Sequence, residues 1–247
     1  MMKKSDWEFR FGLGLVVLSL FVYMLHYYIF RDAYYIFYYP ILDIAFVPVQ
    51  VLLVTLVLQK MLEKRDKESM AHKMNMAIGI FFSEMGTELL DRLQEFDTDT
   101  SAIRGDLCAR PDGTLGDFNG LVKKYSGFAP HVNCRKGDLP GLKVFLTGKR
   151  RFILGLLGNP NLIEHDKFTD LLWAVLHLSE ELHRRDAFEN QPDPDCAHIG
   201  GDVKRAYGLL VVEWIAYMKH LQKDYPYLFS LAMRTNPFDS CAKVEVS

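Results

Sequence analysis

Two long apolar runs near the N-terminus are the strongest feature of the hydrophobic pattern. Residues 11–30 carry no formal charge, and residues 36–58 carry a single acid, Asp43. A helix needs about 20 apolar residues to cross a bilayer core about 30 Å thick, and both runs reach that length. Because only a short polar turn at Arg31 and Asp32 separates the runs, the pattern predicts a transmembrane helical hairpin over residues 11–58.

Aromatic and basic residues predict how this hairpin is oriented. Tyrosines crowd the turn, and their rings favour the headgroup level of a membrane. The basic residues of the flanks are Lys3, Lys4 and Arg10 before the first span and Lys60, Lys64, Arg65, Lys67 and Lys73 after the second. Lys and Arg accumulate on the cytoplasmic side, so we expect both termini in the cytoplasm and the turn outside. The first run exceeds the apolar core of a signal peptide and lacks a small-residue cleavage site, which favours an uncleaved anchor.

After the hairpin the pattern is that of amphipathic helices. Residues 59–69 are highly charged and contain neither Pro nor Gly, so the second span is predicted to continue as a helix into water. Apolar residues then recur every three or four positions up to Phe96, which predicts a helical connector over residues 59–96. Further helices are predicted over residues 117–125, 141–158, 166–188, 200–222 and 227–234.

The segments between these helices carry turn signals. Gly and Pro predict an irregular stretch over most of residues 97–140, and Pro192 and Pro194 predict a loop over residues 190–198. No run shows the clean alternation of a strand. The predicted fold class is therefore all-α, an N-terminal two-helix transmembrane hairpin followed by a cytoplasmic helical bundle. The predicted divisions are a flank at 1–10, the hairpin at 11–58, the connector at 59–96 and the cytoplasmic domain at 97–247.

Composition changes this picture only a little. The chain has 247 residues and a net charge of −2, which gives no electrostatic reason to expect nucleic acid as a partner. Its four cysteines are widely spaced, without a Cys-x-x-Cys pair. In a cytoplasmic domain such cysteines are expected to be reduced thiols.

One set of acids and histidines has the spacing of a metal site in a helical bundle. Glu180-x-x-His183 puts a carboxylate and an imidazole on one side of a helix, as in di-iron bundles. Asp202, Glu213 and His220 fall on one stripe of the next predicted helix. Together these five residues would bind iron, manganese or zinc. Di-iron bundles use two Glu-x-x-His motifs and this chain shows one, so a solvated, salt-bridged face without a cofactor is the favoured interpretation.

A second set could form a zinc site in loops. His131-x-x-Cys134 and Cys196-x-His198 together supply the four nitrogen and sulfur ligands that zinc prefers. The spacing within each pair matches no strong zinc signature. This set is therefore an alternative to the helical site.

Asp43 is the third candidate, because an acid within a membrane span is by default a candidate for function. Pro48 and Gln50 also interrupt the second span, and Gln50 could hydrogen-bond a partner helix. These residues would suit a small channel or transporter subunit.

Several segments resemble those of uncharacterised bacterial membrane proteins that have an N-terminal hairpin and a helical cytoplasmic domain. The segments are PILDIAFVPVQVLLVTLVLQ, AIGIFFSEMGTELL, FTDLLWAVLHLSEEL and YPYLFSLAMRTNPF. The resemblance covers most of the chain. It implies the same architecture, and it implies neither an activity nor functional residues.

The chain contains no phosphate-binding loop, dinucleotide fingerprint, kinase signature, nucleophile elbow or zinc-protease motif, which favours a non-enzymatic function. We expect a protein of the bacterial inner membrane whose cytoplasmic helical domain is an interaction or sensory module. Its expected partners are the lipid bilayer, an unidentified protein and a second copy bound through the transmembrane or connector helices. The alternatives are a metal-dependent helical-bundle enzyme and, third, a small channel or transporter subunit.

Overall fold

The computed structural model describes residues 3–31, 33–108, 116–160, 162, 166–240 and 242–245. The chain divides into two compact units, which meet in sequence between Lys67 and Glu68. Within the described ranges there is no β-strand, and one isolated antiparallel bridge pairs Asp97 with Val132. The all-α prediction is confirmed for these residues.

The N-terminal unit is built from long apolar helices. Helix α1 spans Lys3–Phe30 and helix α2 spans Ala33–Phe81, so α2 extends beyond the first unit. Arg31 ends α1 with a left-handed backbone (φ 50°), and its N–H donates to the carbonyl of Tyr27 at 2.9 Å.

Within the part of the chain that the structure describes, two helices are long and apolar enough to cross a membrane. One apolar window covers Leu13–Phe30, the other begins at Phe46, and no part of either is buried. The side chain of Asp43, the candidate polar group of the second span, lies outside the described part of the structure.

In the second unit the connector changes helix type before it ends. The last turns of α2 lead into a π-helical turn at Phe82–Gly86 and then into α3, Thr87–Gln94. Phe81 and Phe82 are both buried, and their rings pack over the backbone of Gly86. A Cβ at Gly86 would lie 2.6 Å from Phe82 and 2.7 Å from Phe81. The paired phenylalanines thus belong to the core of the domain.

The remaining helices surround one long central helix. They are α4 (Ser101–Leu107), α5 (Phe118–Tyr125), α6 (Leu139–Leu157), α7 (Asp166–His183), α8 (Asp193–Asp224) and α9 (Pro226–Arg234). Helix α8 packs against α3, α5, α7 and α9, and α6 packs against α7. On α8, the buried Tyr207 packs edge to face against Phe128, and the buried Trp214 packs edge to face against Phe238. These contacts hold the surrounding loops against the core.

Two segments differ from the sequence-based expectation. Residues 101–107, predicted to be irregular, form α4, whose first residue Ser101 donates from its backbone and hydroxyl to Asp99. Helix α8 begins at Asp193 and not near residue 200, so the predicted loop is shorter. Pro194 lies in the first turn of α8, where the missing N–H of proline leaves no helical hydrogen bond unmade. Cys196 and His198 therefore lie on a helix.

The expectation of reduced thiols is wrong for one pair of cysteines. Cys134 and Cys196 form a disulfide, with their Cα atoms 5.6 Å apart, within the usual range. The bond joins the turn before α6 to the first turns of α8. Cys108 donates from its thiol to the carbonyl of Phe238 at 3.1 Å.

Candidate metal centre

Two pairs of side chains, one on α7 and one on α8, face each other. His177 and Glu181 lie one turn apart on α7, and His198 and Asp202 lie one turn apart on α8. Residues four apart share a helix face, and the short connection between these helices makes them antiparallel. As a result His177 meets Asp202, and Glu181 meets His198.

The distances within this cluster fit a transition-metal ion. The Nε2 atoms of His177 and His198 lie 3.4 Å and 3.6 Å from the same oxygen, Oδ2 of Asp202. The ligand atoms of all three residues lie within 4.8 Å of one another. A tetrahedron with metal–ligand distances of about 2.1 Å has edges of about 3.4 Å. Two of the three separations are thus close to the edge of a tetrahedral metal site, and the third lies within 4.8 Å.

Asp202 gives an independent reason to expect a cation. Its side chain is only 4% exposed, and no group in the described ranges donates a hydrogen bond to its Oδ2. A buried carboxylate oxygen that accepts no hydrogen bond is costly. The other oxygen, Oδ1, lies 3.5 Å from a guanidinium nitrogen of Arg205. A metal ion between the two imidazoles would satisfy the oxygen that has no hydrogen bond.

Glu181 borders the cluster as a second carboxylate. Its Oε2 lies 3.7 Å from Nε2 of His198 and accepts a hydrogen bond from Arg185 at 2.7 Å. Arg185 also binds Asp195 at 2.7 Å. The hydrogen bond from Arg185 lowers the pKa of Glu181 and likewise that of Asp195. Glu181 thus approaches the cluster through His198, beside the three residues His177, His198 and Asp202.

Solvent reaches the centre from the side of the histidines. The side chains of His177 and His198 are 46% and 55% exposed, whereas Asp202 lies beneath them. A metal bound here would keep a coordination position open to water or to a small ligand. Open positions distinguish catalytic or exchangeable sites from closed structural ones.

Asp202 is the residue that this cluster shares with the five metal ligands expected from helix spacing. Glu180, next to Glu181, points elsewhere and pairs with Arg150 on α6 at 2.5 Å. His183 is exposed at the end of α7. The structure does not bring these two residues to Asp202.

The other two expected ligands lie further along α8. Glu213 is buried beside a cavity of about 190 Å³ that Lys167 also lines. Burial raises the pKa of Glu213 to about 7. His220 approaches Asp224 with its Nδ1 at 2.8 Å. The five-residue site therefore stays a prediction whose five members have five different surroundings.

The loop set of potential zinc ligands shares His198 with the cluster. Cys134 and Cys196 are bonded to each other, so neither is available as a thiolate while the disulfide is intact. His131 is exposed, and its backbone N–H donates to Asp97 at 3.2 Å.

Sequence reasoning missed His177 and Glu181. The signal that could have found them is a repeated four-residue spacing, His177-x-x-x-Glu181 followed by His198-x-x-x-Asp202. The expected loop over residues 190–198 removed His198 from any helix face. Once α8 is known to begin at Asp193, the two pairs become equivalent positions on adjacent helices.

An apolar groove lies between α2, α8 and α9. Its volume is about 410 Å³, and its lining includes Met76 and Ile80 of α2, Tyr217 of α8 and Leu228 of α9. Met76 and Ile80 are about half exposed, one turn apart on α2.

Taken together, the fold and the cluster define a helical protein with two apolar N-terminal helices and a C-terminal helical domain that carries a candidate metal centre. The chain belongs to the MJ1433 family: residues 3–62 match "MJ1433, N-terminal helical domain", and residues 70–234 match "Uncharacterized protein MJ1433, C-terminal helical domain". A relative, "Uncharacterized protein MJ1433" of Methanocaldococcus jannaschii, is 41% identical over 226 residues. The match covers 92% of this chain and 91% of the relative. No solved structure matches.

These matches support the helical part of the sequence-based resemblance. Both domains of the family are described as helical, in agreement with the structure. The relative comes from an archaeon, so the comparison does not support the bacterial origin that the resemblance implied. The names state neither an activity nor a location.

Proposed function

We propose that this chain is a membrane-anchored helical protein whose C-terminal domain binds a divalent transition metal through His177, His198 and Asp202, with Glu181 at the border of the site. The observation that carries the proposal is the buried Oδ2 of Asp202. Two imidazole nitrogens lie 3.4 Å and 3.6 Å from this oxygen, and no described group donates a hydrogen bond to it.

The chemistry of the ligand set narrows the choice of metal. Imidazole nitrogens suit zinc and iron, whereas magnesium and calcium prefer oxygen ligands alone. Two histidines and one carboxylate with open positions form the ligand set of non-haem iron(II) sites and, with a water, of catalytic zinc sites. A bound zinc would lower the pKa of a coordinated water to about 7 and so supply hydroxide at neutral pH. The proposal thus favours a metal-dependent activity over a purely structural site.

The membrane anchor rests on the two apolar windows, neither of which is buried in the structure. The basic residues that flank them favour both ends of the pair in the cytoplasm by the positive-inside rule. Reporter fusions at Ser247 and at Arg31 test this placement. A cytoplasmic reporter active only at Ser247 and a periplasmic or extracellular reporter active only at Arg31 are expected, and the reverse pattern would overturn the orientation.

Elemental analysis tests the metal centre directly. The full chain, purified in detergent without a histidine tag and loaded with zinc or iron(II), should retain a stoichiometric amount of metal after dialysis. His177→Ala, His198→Ala and Asp202→Asn should each remove it. His183→Ala is the matched control, because His183 lies on the same helix and is exposed.

Other patterns of loss would point to the other ligand sets. Loss of metal on Glu180→Ala and His183→Ala, with His177→Ala unaffected, would favour the site expected from helix spacing. Loss on Cys134→Ser would place the metal among the loop cysteines. A wild-type chain that retains no metal would overturn the proposal.

A non-enzymatic interaction module is the second candidate, and the apolar groove beside Met76 and Ile80 favours it. The proposed occupant is a second copy of the chain, because one helix face repeated by a two-fold axis makes a self-complementary contact. Light scattering of the full chain in detergent should then show a dimer that Ile80→Lys converts to a monomer. A monomeric wild-type chain would remove this candidate.

A further inference from the structure

We propose that the metal centre binds a phosphate monoester with an apolar substituent, held between the metal and Arg205, with the substituent in the adjoining cavity. This inference rests on the proposed metal site. It concerns residues of α8 and of the loop before α6 that are not among the proposed metal ligands.

Arg205 lies beside the carboxylate of the proposed metal site. Its Nη1 lies 3.5 Å from Oδ1 of Asp202, the oxygen on the opposite side of the carboxylate from the imidazoles. One carboxylate therefore touches the proposed metal position with one oxygen and the guanidinium with the other. The side chain of Arg205 is 61% exposed, so its remaining N–H donors are open to a ligand.

The guanidinium group of Arg205 is suited to bind an oxyanion. Its planar fork of N–H donors binds phosphate or carboxylate through two parallel hydrogen bonds, which an ammonium group cannot do. A phosphate oxygen could occupy the open metal position while two others accept from Arg205. The neighbouring arginine is already engaged, because Arg185 binds both Glu181 and Asp195.

Arg205 also lines a cavity that could hold the apolar substituent of the proposed ligand. Its volume is about 310 Å³, which is within the range of small-molecule sites. Its lining residues are Ser126, Phe128, Ala129, Gly201, Lys204, Arg205, Gly208, Leu209 and Val212. Arg205, which also contacts Asp202, belongs to this lining, and apolar side chains form much of the rest.

A glycine of α8 keeps one wall of this cavity close to the backbone. A Cβ on Gly208 would lie 2.9 Å from the carbonyl oxygen of Phe128, so this glycine lets the loop approach the helix. The loop residues 126–129 thereby form the far wall. Arg205 is thus the link between the cavity and the proposed metal site, because it lines the cavity and contacts Asp202.

The source of such a ligand is either a soluble metabolite or a membrane lipid. Both a small aryl or alkyl phosphate and a phosphatidic acid headgroup present the same chemistry, a dianionic phosphate joined to an apolar group. The experiment therefore uses phenyl phosphate in solution and, separately, nanodiscs of phosphatidylcholine with and without phosphatidic acid.

Cobalt(II) absorption spectroscopy of the full chain in detergent is the test. Cobalt(II) replaces zinc in His and carboxylate sites, and its visible bands respond to a change of ligand. Phenyl phosphate should perturb the bands of the cobalt-loaded wild type. Arg205→Ala should retain cobalt and weaken this binding by at least about tenfold, since a hydrogen bond to a charged group is lost. Arg205→Lys should restore only part of it.

The controls separate this inference from the proposed function. Arg184→Ala removes an exposed arginine near Glu180, and it should change neither cobalt content nor phosphate affinity. A wild type that binds cobalt but shows no response to phosphate in solution or in phosphatidic acid nanodiscs overturns this inference and leaves the metal site standing. An equal response in Arg205→Ala overturns it as well. A wild type that binds no cobalt overturns both proposals.

Discussion

Oδ2 of Asp202 and Nε2 of His177 lie 3.4 Å apart although the two residues come from different helices and are 25 positions apart in sequence. The contact is not an accident of exposed side chains, because Asp202 is almost completely buried. It brings an acceptor oxygen that lacks a hydrogen bond next to a potential metal ligand. We therefore expect Asp202 to bind the metal.

Asp202→Asn should separate metal binding from folding. In the metal-free protein the change removes a buried carboxylate oxygen that has no hydrogen bond, so we expect the free energy of unfolding to stay equal or to rise by about 1 kcal/mol. In the wild type, zinc at about 100 times its Kd should stabilise the fold by about 3 kcal/mol. The variant should show no such gain. Thermal denaturation with and without zinc measures both effects.

Strong destabilisation of the metal-free protein by Asp202→Asn would contradict this prediction. If Asp202→Asn lowers the Tm of the metal-free protein strongly, then Asp202 holds the fold through its contacts with Arg205 and the histidines. The metal proposal would then lose its main support. Asp170→Asn, at an exposed position of α7, is the control for a change of charge on the surface.

Glu213 should make the domain less stable as the pH rises. Its pKa is raised by burial from 4.5 to about 7, so between these values the folded state binds the proton that the unfolded state has released. The stabilisation is complete below about pH 4.5 and is lost as the pH rises through 7. A shift of this size corresponds to about 3 kcal/mol. Urea unfolding at pH 5 and pH 8 measures it.

Glu213→Gln should flatten this dependence, because the amide cannot ionise. Glu189→Gln, at an exposed position in the loop before α8, should leave the pH dependence as in the wild type. If the wild type and Glu213→Gln lose the same stability between pH 5 and pH 8, the buried carboxylate is not the cause.

Gly86 should tolerate no side chain. A Cβ at this position would lie 2.6 Å from Phe82 and 2.7 Å from Phe81, both of which are buried. We expect Gly86→Ala to destabilise the domain by about 1–3 kcal/mol through overpacking. Gly148→Ala on α6, where a Cβ would meet nothing within 4 Å, should instead stabilise by about 0.5–1 kcal/mol. Equal effects of the two changes on urea unfolding would contradict this packing.

The apolar spacing predicted most helices because it reports burial directly. Phe81 and Phe82 interrupt the three-and-four spacing of a single helix face, and the structure accommodates both by a π-helical turn. Such a turn depends on packing against the rest of the domain, so local pattern does not show it. Pro194 misled the prediction of α8 because proline marks both loops and first turns.

The candidate metal centre could not be predicted from the sequence, for a different reason. His177 reads as one more polar position on the face beside the core, and its meaning appears only when α7 and α8 are placed antiparallel. The disulfide was hidden as well, since 62 positions separate Cys134 from Cys196 and spacing alone cannot pair them. In both cases the missing information is which helix faces which, and local sequence does not hold it.

The disulfide between Cys134 and Cys196 should contribute substantially to stability. Closing a loop of this length restricts the unfolded chain by about 4 kcal/mol in the chain-entropy model. Dithiothreitol should therefore lower the Tm of the wild type, and Cys134→Ser should have the same low Tm with or without the reductant. Cys108→Ser is the control, because it leaves the bonded pair intact and should retain the response to dithiothreitol.

Thiol counting under denaturing conditions, on chain taken directly from cells, links this bond to location. Disulfides persist in oxidising compartments and inside the cells of hyperthermophilic archaea, and they are rare in other cytosols. If the domain lies in a cytoplasm that keeps disulfides, as in hyperthermophilic archaea, Cys134 and Cys196 are expected to resist alkylation. Cys108 is expected to be alkylated. Alkylation of Cys134 and Cys196 as well would show that the pair is reduced in the cell, and the cytoplasmic placement would then stand without the bond.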